Sequence, residues 1–363
     1  MGVLASELDF DLPPERIAQA PIEPRDAARL LRFGRETKEI SHHFVRDLPG
    51  LLREGDLLVF NDTRVLRARL RGFKPSGGRV EALLLKEMAR NRWQTLLKPS
   101  ARLQPGAVIE FVAPDSSLKI AARLISRDEA SWEIEFLPPQ GGNIRDLLPL
   151  LGEVPLPPYI HQHAEEGRYQ TTFSQLKSAG NPLDSAAAPT AGLHFTPELL
   201  ELLAKRGIDS AFLTLAVGAG TFRPVKTETL DDHPMHLEEF EISVHAAEQI
   251  NAQKARGGRV VAVGTTVVRT LESALNEAEQ VAPGESATQI FIRPGFRFRV
   301  VDALITNFHQ PRSTLLALVA AFIEHGNGEN GSKRGLATIR ELYAGAIERE
   351  YRFHSFGDAM LLD

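Results

Sequence analysis

The sequence lacks cysteine, and this absence excludes several kinds of chemistry at once. Its 363 residues include no cysteine, only four methionines and only two tryptophans. Disulfides, thiolate zinc sites, cysteine nucleophiles and iron–sulfur clusters are therefore excluded, and with the clusters any radical reaction that depends on one.

Long hydrophobic runs are also missing. No stretch approaches the roughly 18 consecutive apolar residues of a membrane span, and the N-terminus carries no basic region before an apolar core, so no secretory signal is predicted. The net charge of −5 disfavours a uniformly basic nucleic-acid-binding surface. We expect a cytoplasmic protein whose 43% of hydrophobic residues can form a packed core, with about two domains of ~150 residues each.

Common nucleotide-binding and hydrolase motifs are absent as well. Neither Gly-rich turn continues into G-x-G-x-x-G, because Arg223 follows Gly218 and Gly220 where a third glycine is needed. The sequence has no P-loop and no nucleophile elbow. The sequence therefore predicts neither a dinucleotide-binding turn, nor a P-loop, nor the active site of an α/β-hydrolase.

Three parts of the chain share one design, in which an apolar strand is combined with a small or polar turn and a helix. They are residues 186–221, Ala262–Arg269 and Leu304–Pro311. Ligands gather at strand carboxyl ends in open α/β sheets, so we predict one composite site. Its candidate residues are Thr190, Gly192, His194, Gly218, Gly220, Thr221, Arg223, Gly264, Thr265, Thr266, Arg269, Asn307 and His309.

Two further polar segments allow two interpretations each. Asn61 and Asp62 end a predicted strand, where they either contact a ligand or form a turn or helix cap, the latter being favoured by spacing alone. The segment from His233 through His236 to Glu238 lacks the same-face helical spacing of zinc enzymes. We expect it to line an active site, and we predict no metal.

The turn at Gly264–Thr266 precedes a predicted helix. Backbone amides and hydroxyls at a helix N-terminus bind anions, carboxylates included, and Arg269 lies three residues further on. The simpler alternative is that a threonine only caps the helix.

Residues 67–137 alternate short apolar runs with turn residues, a pattern typical of a small barrel or sandwich. Elsewhere, strands are predicted among helices, including Gln289–Ile292 and a last strand-like segment from Tyr351 to Leu362. The predicted fold is a larger α/β domain, residues 1–66 plus 155–363, with an inserted β-barrel domain at 67–154.

Basic residues cluster where the barrel is predicted to begin. No acidic residue occurs between positions 64 and 79, and alternate residues of a strand project from one face. Such a stripe suits a polyanion such as RNA, and a solvated strand face is the alternative. The RNA-binding candidates are Arg64, Arg67, Arg69 and Arg71.

Eight segments, which together span nearly the whole chain in order, match one known family. They are Leu57–Leu70, Pro155–Ile160, Ala187–Phe195, Leu215–Pro224, Asp232–Glu238, Ala262–Ser273, Val301–Leu315 and Tyr351–Met360. In these segments the sequence resembles the S-adenosylmethionine:tRNA ribosyltransferase-isomerase family of queuosine biosynthesis. An α/β domain carrying an inserted β-barrel is also this family's architecture.

The resemblance implies a reaction and two partners. The ribosyl part of S-adenosylmethionine would be transferred and isomerised onto 7-aminomethyl-7-deazaguanine at the tRNA wobble position, giving epoxyqueuosine-tRNA, adenine and methionine. S-adenosylmethionine would be a consumed co-substrate, so no resident cofactor is expected. The chain is expected to act as a monomer.

This chemistry suggests roles for the candidate residues. The sulfonium acidifies the C5′ protons, so the reaction needs a general base and then an acid for adenine departure. His194, His236 and His309 are the candidates, because histidine titrates near neutrality. Asp62 would orient a base or contact the substrate amine, Gly264–Thr266 with Arg269 would hold the methionine carboxylate, and Gly218–Thr221 would approach the ribose or adenine.

Four departures from the family pattern are expected to be peripheral. The loop Gln175–Ser185 is longer than usual, residues 327–333 are an insertion, Arg67 replaces a usual proline, and His354 replaces an aromatic residue. The two alternative functions are an enzyme that uses S-adenosylmethionine on a small molecule, and a non-catalytic RNA-binding module. The basic stripe disfavours the first, and the three site-like turns disfavour the second.

Overall fold

A computed structural model describes residues 3–128, 131–161, 166–174, 183–218, 225–325 and 332–363. Its strands are β1 Arg29–Phe33, β2 Ile40–Phe44, β3 Leu57–Asn61, β4 Arg69–Phe73, β5 Arg79–Ala89, β6 Arg92–Lys98, β7 Val108–Val112, β8 Lys119–Arg127, β9 Trp132–Leu137, β10 Asp209–Leu215, β11 Glu238–Ile242, β12 Val260–Val263, β13 Gly284–Thr288, β14 Ala303–Asn307 and β15 Ala359–Leu362. Its α-helices are α1 Leu48–Leu51, α2 Ile144–Leu151, α3 Pro197–Lys205, α4 Val244–Ala255, α5 Thr265–Ser273, α6 Thr314–Glu324 and α7 Ser332–Glu348.

Nine strands form one mixed sheet in the order β13-β11-β10-β3-β12-β14-β15-β1-β2. The four neighbours β10, β3, β12 and β14 run parallel to one another. The carboxyl ends of these four strands therefore lie along a single edge of the sheet. The strand β15 is antiparallel to β14 and parallel to β1.

The central strands are mostly apolar because both faces of the sheet are covered, and most of their polar residues lie near the strand ends. Alternate residues enter different cores: Leu57 and Val59 of β3 pack in one cluster with residues of α4 to α7. Leu58 and Phe60 pack in a second cluster with residues of α1 and α3. This two-sided burial holds the strand ends in fixed positions.

The strands β4-β5-β6-β9-β8-β7 form a closed barrel, which confirms the predicted combination of a larger α/β part with an all-β barrel. Burial alternates along β5 and β6, so the inward side chains, nearly all apolar, fill the barrel, while the outward positions carry both polar residues and leucines. Ile144, Leu148 and Leu151 of α2 belong to the same core. All these elements lie between residues 67 and 154.

Some predicted elements differ in the structure. Gln289–Ile292 is not a strand, and pairing with β11 is instead made by Gly284–Thr288. Only Ala359–Leu362 of the predicted segment 351–362 is a strand, because Tyr351–Asp358 forms turns. Within the residues described above, no helix is long and apolar enough to cross a membrane.

Candidate active site

Three of the predicted segments meet in one cleft at the carboxyl edge of the parallel strands. The cleft is lined by the turn that contains Thr190, by the start of α5 after β12, and by the end of β14. Six predicted site residues line it together: Thr190, Gly264, Thr265, Thr266, Asn307 and His309. The composite arrangement expected from the sequence is therefore present.

The start of α5 provides uncapped backbone amides. Gly264 has φ +99°, which an L side chain rarely adopts, and its amide donates to Ile305 O at 2.8 Å. No side chain caps the helix, so the threonine-capping alternative is wrong. Thr265 and Thr266 are both buried and line the cleft. A nine-residue helix thus begins at the cleft with amides suited to an anion.

Thr190 and Asn307 are joined across the cleft. The Thr190 hydroxyl donates to Asn307 Oδ1 at 2.9 Å, and Asn307 Nδ2 donates to the carbonyl of His354 at 3.3 Å. One side-chain amide therefore connects three separate parts of the chain.

His309 is the buried histidine of this cleft. Its Nε2 lies 3.0 Å from Thr306 Oγ1, and its backbone amide donates to Tyr343 Oη at 2.9 Å. Burial, followed by the neighbouring His354, lowers its pKa to about 3. His309 is therefore neutral at physiological pH and has a nitrogen lone pair.

His194 is buried beside the cleft, but it does not line it. Its Nδ1 lies 3.1 Å from Ala191 O and its Nε2 lies 3.0 Å from Gly357 O. Burial lowers the pKa of this imidazole, while the two carbonyls oppose that shift. A neutral imidazole has a single N–H, so the ring donates to one of these two carbonyl oxygens at a time and lies between two loops. The nearby Gly192 leaves room for Phe173 and Thr171, since an added Cβ would lie 2.9 Å from Phe173.

His236 and Arg269 lie outside the cleft lining. His236 is exposed, and Arg269 is buried in an ion pair with Glu238 through both of its terminal nitrogens. Among the residues of known placement, no group of three or more histidine, aspartate and glutamate side chains is arranged to hold a metal ion.

Asn61 and Asp62 connect β3 with β10. Asn61 Oδ1 accepts from the amide of Leu215 at 3.1 Å, and Asp62 Oδ1 accepts from Thr214 Oγ1 at 2.6 Å. Both side chains are buried. No atom of the described part of the chain lies within 4 Å of a Cβ added at Gly218. The predicted residues Gly220, Thr221 and Arg223, and most of the two loops 175–185 and 327–333, lie outside the described residues.

The arginine stripe lies at the junction of the barrel and the sheet. Arg69 and Arg71 alternate outward on β4, as predicted. Arg69 lies 3.6 Å from Glu81 and Arg71 lies 2.9 Å from Glu153, so distant carboxylates partly neutralise the stripe. Arg67 precedes the strand and donates to Pro149 O, and Arg64 is half-buried.

Four residues with polar side-chain groups that were not among the candidates extend the cleft on its other side: Tyr159, Gln310, His354 and Ser355. The expectation that His354 is peripheral is wrong, because its side chain is buried next to His309. Tyr159 lies in Pro155–Ile160, one of the segments in which the sequence resembles the family. This resemblance is the signal in the sequence that points to Tyr159 as a functional residue.

The fold and the cleft define an α/β enzyme with an inserted barrel and a polar site at the strand ends. The model of a family described as "Queuosine biosynthesis protein" matches residues 5–362. A protein of Symbiobacterium thermophilum named S-adenosylmethionine:tRNA ribosyltransferase-isomerase is 49% identical over 98% of this chain and 99% of its own. A Thermus thermophilus protein of the same name is 48% identical, over 98% of both chains.

A solved structure is also similar. The crystal structure of an S-adenosylmethionine tRNA ribosyltransferase from Thermotoga maritima has 34% sequence identity and a TM-score of 0.54, covering 99% of this chain and 100% of its own. The present chain belongs to the S-adenosylmethionine:tRNA ribosyltransferase-isomerase family of queuosine biosynthesis. It is an enzyme of the transferase and isomerase type.

Proposed function

We propose that this enzyme transfers and isomerises the ribosyl moiety of S-adenosylmethionine onto 7-aminomethyl-7-deazaguanine in tRNA. The products would be epoxyqueuosine-tRNA, adenine and methionine. S-adenosylmethionine is then a consumed co-substrate, no resident cofactor is proposed, and the enzyme acts as a monomer in the cytoplasm, where tRNA is found.

One observation carries this proposal within the family. Residues from three distant segments, represented by Thr190, Gly264 and His309, line a single cleft at the strand ends. S-adenosylmethionine offers a carboxylate, a sulfonium, a ribose and a purine, so it needs several different groups along one cleft. The start of α5 would bind the carboxylate, and the neutral imidazole of His309 would act on the carbon next to the sulfonium.

The methionine carboxylate is proposed to bind at the start of α5. The uncapped amides and the buried hydroxyls of Thr265 and Thr266 would donate hydrogen bonds to it. Arg269 would contribute positive charge only in part, because Glu238 already pairs with it. Gly218 and the segment after it are proposed to approach the ribose or adenine.

His309 is proposed as the general base for the C5′ proton. A base has to be unprotonated before the reaction, and burial keeps this imidazole neutral. The hydroxyl of Thr306 would orient the ring. His194 is proposed to position the turn of residues 190–194, and the acid role of His236 and the substrate contact of Asp62 stay predictions.

The tRNA is proposed to lie across the beginning of the barrel. Arg71 is the most exposed of the paired arginines there, with 63% of its side chain accessible. Arg64, Arg67 and Arg69 would contact further phosphates. The charge partners Glu81 and Glu153 limit the strength of this surface.

The test is incubation with S-adenosylmethionine and tRNA that carries 7-aminomethyl-7-deazaguanine. We expect adenine release together with a heavier nucleoside in the tRNA digest, and no adenine with tRNA that carries guanine at the wobble position. Adenine release without the modified tRNA would instead indicate a small-molecule acceptor. Binding of tRNA without any adenine would indicate a non-catalytic RNA-binding protein.

A further inference from the structure

His354 has a buried side chain whose ring nitrogens have no partner among the residues that the structure describes. It is 7% exposed, and neither ring nitrogen makes a hydrogen bond to any residue that the structure describes. An imidazole that is kept away from water without partners destabilises the folded state. Burial also lowers its pKa to about 4, so the ring is neutral and offers one donor and one acceptor.

The backbone around His354 is held by the cleft itself. Its amide donates to Phe308 O at 3.0 Å, and its carbonyl accepts from Asn307 Nδ2 at 3.3 Å. The residue has φ +69°, an uncommon conformation for an L side chain. Two residues of the site thus fix a strained backbone that directs the ring into the cleft.

The surroundings of the ring suit a flat heterocycle. Tyr159 meets His354 edge to face, with ring centroids 4.4 Å apart, and its hydroxyl is fixed by Ser355 at 2.7 Å. Phe308 and Leu315 add apolar lining on this side of the cleft. A purine-type base has apolar faces and an edge of adjacent donors and acceptors, which matches this combination.

We propose that His354 is a substrate-contacting residue that hydrogen-bonds the edge of a purine-type base lying against Tyr159. This inference rests on the function proposed above. Two bases of that reaction share the required chemistry: the adenine of S-adenosylmethionine and the 7-deazaguanine of the tRNA. His309 is close to this position, so the contact would place the base beside the reacting atoms.

The kinetic test compares two variants of His354. His354→Phe keeps an aromatic ring against Tyr159 but removes both nitrogens, and His354→Gln keeps one donor and one acceptor. We expect His354→Phe to raise one KM about tenfold with kcat changed by less than about twofold, and His354→Gln to recover part of the loss. The matched control is His245→Phe, the same change at an exposed position of α4, which should leave both constants unchanged.

The affected substrate identifies the bound base. A raised KM for S-adenosylmethionine assigns adenine, and a raised KM for the modified tRNA assigns 7-deazaguanine. Unchanged values of both KM in a folded His354→Phe enzyme that still turns over would overturn the inference while leaving the proposed function intact.

A second measurement does not depend on turnover. In wild-type protein labelled with ¹⁵N-histidine, the ring nitrogen resonances of His354 should shift when S-adenosylmethionine or the modified tRNA is added. The resonance that disappears in His354→Gln provides the assignment. No shift with either substrate would contradict the inference, and a shift without any adenine release would contradict only the proposed function.

Discussion

The barrel and the strand-end cleft place their polar residues in opposite ways. On the outer surface of the barrel, exposed arginines pair with carboxylates, as Arg71 does with Glu153 and Arg92 with Glu133. In the cleft, Thr265, Thr266 and His309 are each less than 10% exposed. Surface pairs contribute little to stability, whereas buried polar groups lower it unless they are satisfied. Stability alone therefore does not explain why polar residues are buried in the cleft, whereas a role in binding a substrate does.

The largest effect on turnover is expected from removing the imidazole of His309. We expect His309→Ala to lower the rate of adenine release in a single turnover by about 10²- to 10⁴-fold, since a general base typically contributes that much. The control is His245→Ala, which removes an exposed imidazole from α4. Wild-type turnover in a folded His309→Ala protein would show that the cleft does not use this base.

A smaller effect is expected at the start of α5. Gly264→Ala forces a side chain to adopt φ near +99°, so we expect about 1–3 kcal/mol of lost unfolding free energy and a raised KM for S-adenosylmethionine. Gly50→Ala is the matched control, because Gly50 has no neighbour within 4 Å of the added Cβ and no positive φ. A normal KM in the Gly264→Ala enzyme would argue against carboxylate binding at this helix.

Acid should distinguish the two regions further. The pKa values of His309 and His354 lie at about 3 and about 4, below the ordinary value of 6.5. Below pH 6.5 the unfolded chain therefore binds more protons, and each group lowers the unfolding free energy by up to about 1.4 kcal/mol per pH unit. Above pH 6.5 both histidines are neutral in the folded and in the unfolded chain, so none of this unfolding free energy is lost. The barrel range 67–154 contains no histidine, so it lacks this dependence.

Two optical probes can separate the regions in denaturant titrations between pH 7.5 and 5. Both tryptophans, Trp93 and Trp132, lie in barrel strands, whereas most helices belong to the large sheet. We expect the transition followed by helical circular dichroism to move to lower denaturant on acidification, and the tryptophan fluorescence transition to stay in place. Equal shifts of both transitions would mean that the two regions unfold as one unit.

The smallest effect is expected on the surface of the barrel. Arg71→Ala should raise the KM for tRNA only a few-fold and reduce the salt dependence of binding by about one ion, as the loss of one phosphate contact predicts. Arg92→Ala provides the comparison, because Arg92 is a half-exposed arginine paired with Glu133 at 2.7 Å on another barrel strand. Equal effects of the two substitutions would remove the reason to place tRNA along β4.

The two regions also differed in how far the sequence could predict them. Short apolar runs separated by turn residues at regular spacing predicted the barrel, because this pattern is a property of the local sequence. The sequence also predicted that Thr190, Gly264 and His309 lie close together, because turns at the carboxyl ends of parallel strands meet at one edge of the sheet. The ion pair of Arg269 with Glu238 and the burial of His354 could not be predicted, since both depend on contacts between residues far apart in the chain.

The position of β15 has a consequence for the order in which the molecule assembles. This strand lies between β14 and β1, so Leu30 pairs with Ala359 from near the opposite end of the sequence. Contacts between such distant residues form slowly, whereas the barrel strands are neighbours in sequence and can pair early. During synthesis on the ribosome, the sheet and the turn that carries His354 can be completed only after residues 354–362 have emerged. The strand-end cleft is therefore expected to be the last part of the enzyme to form.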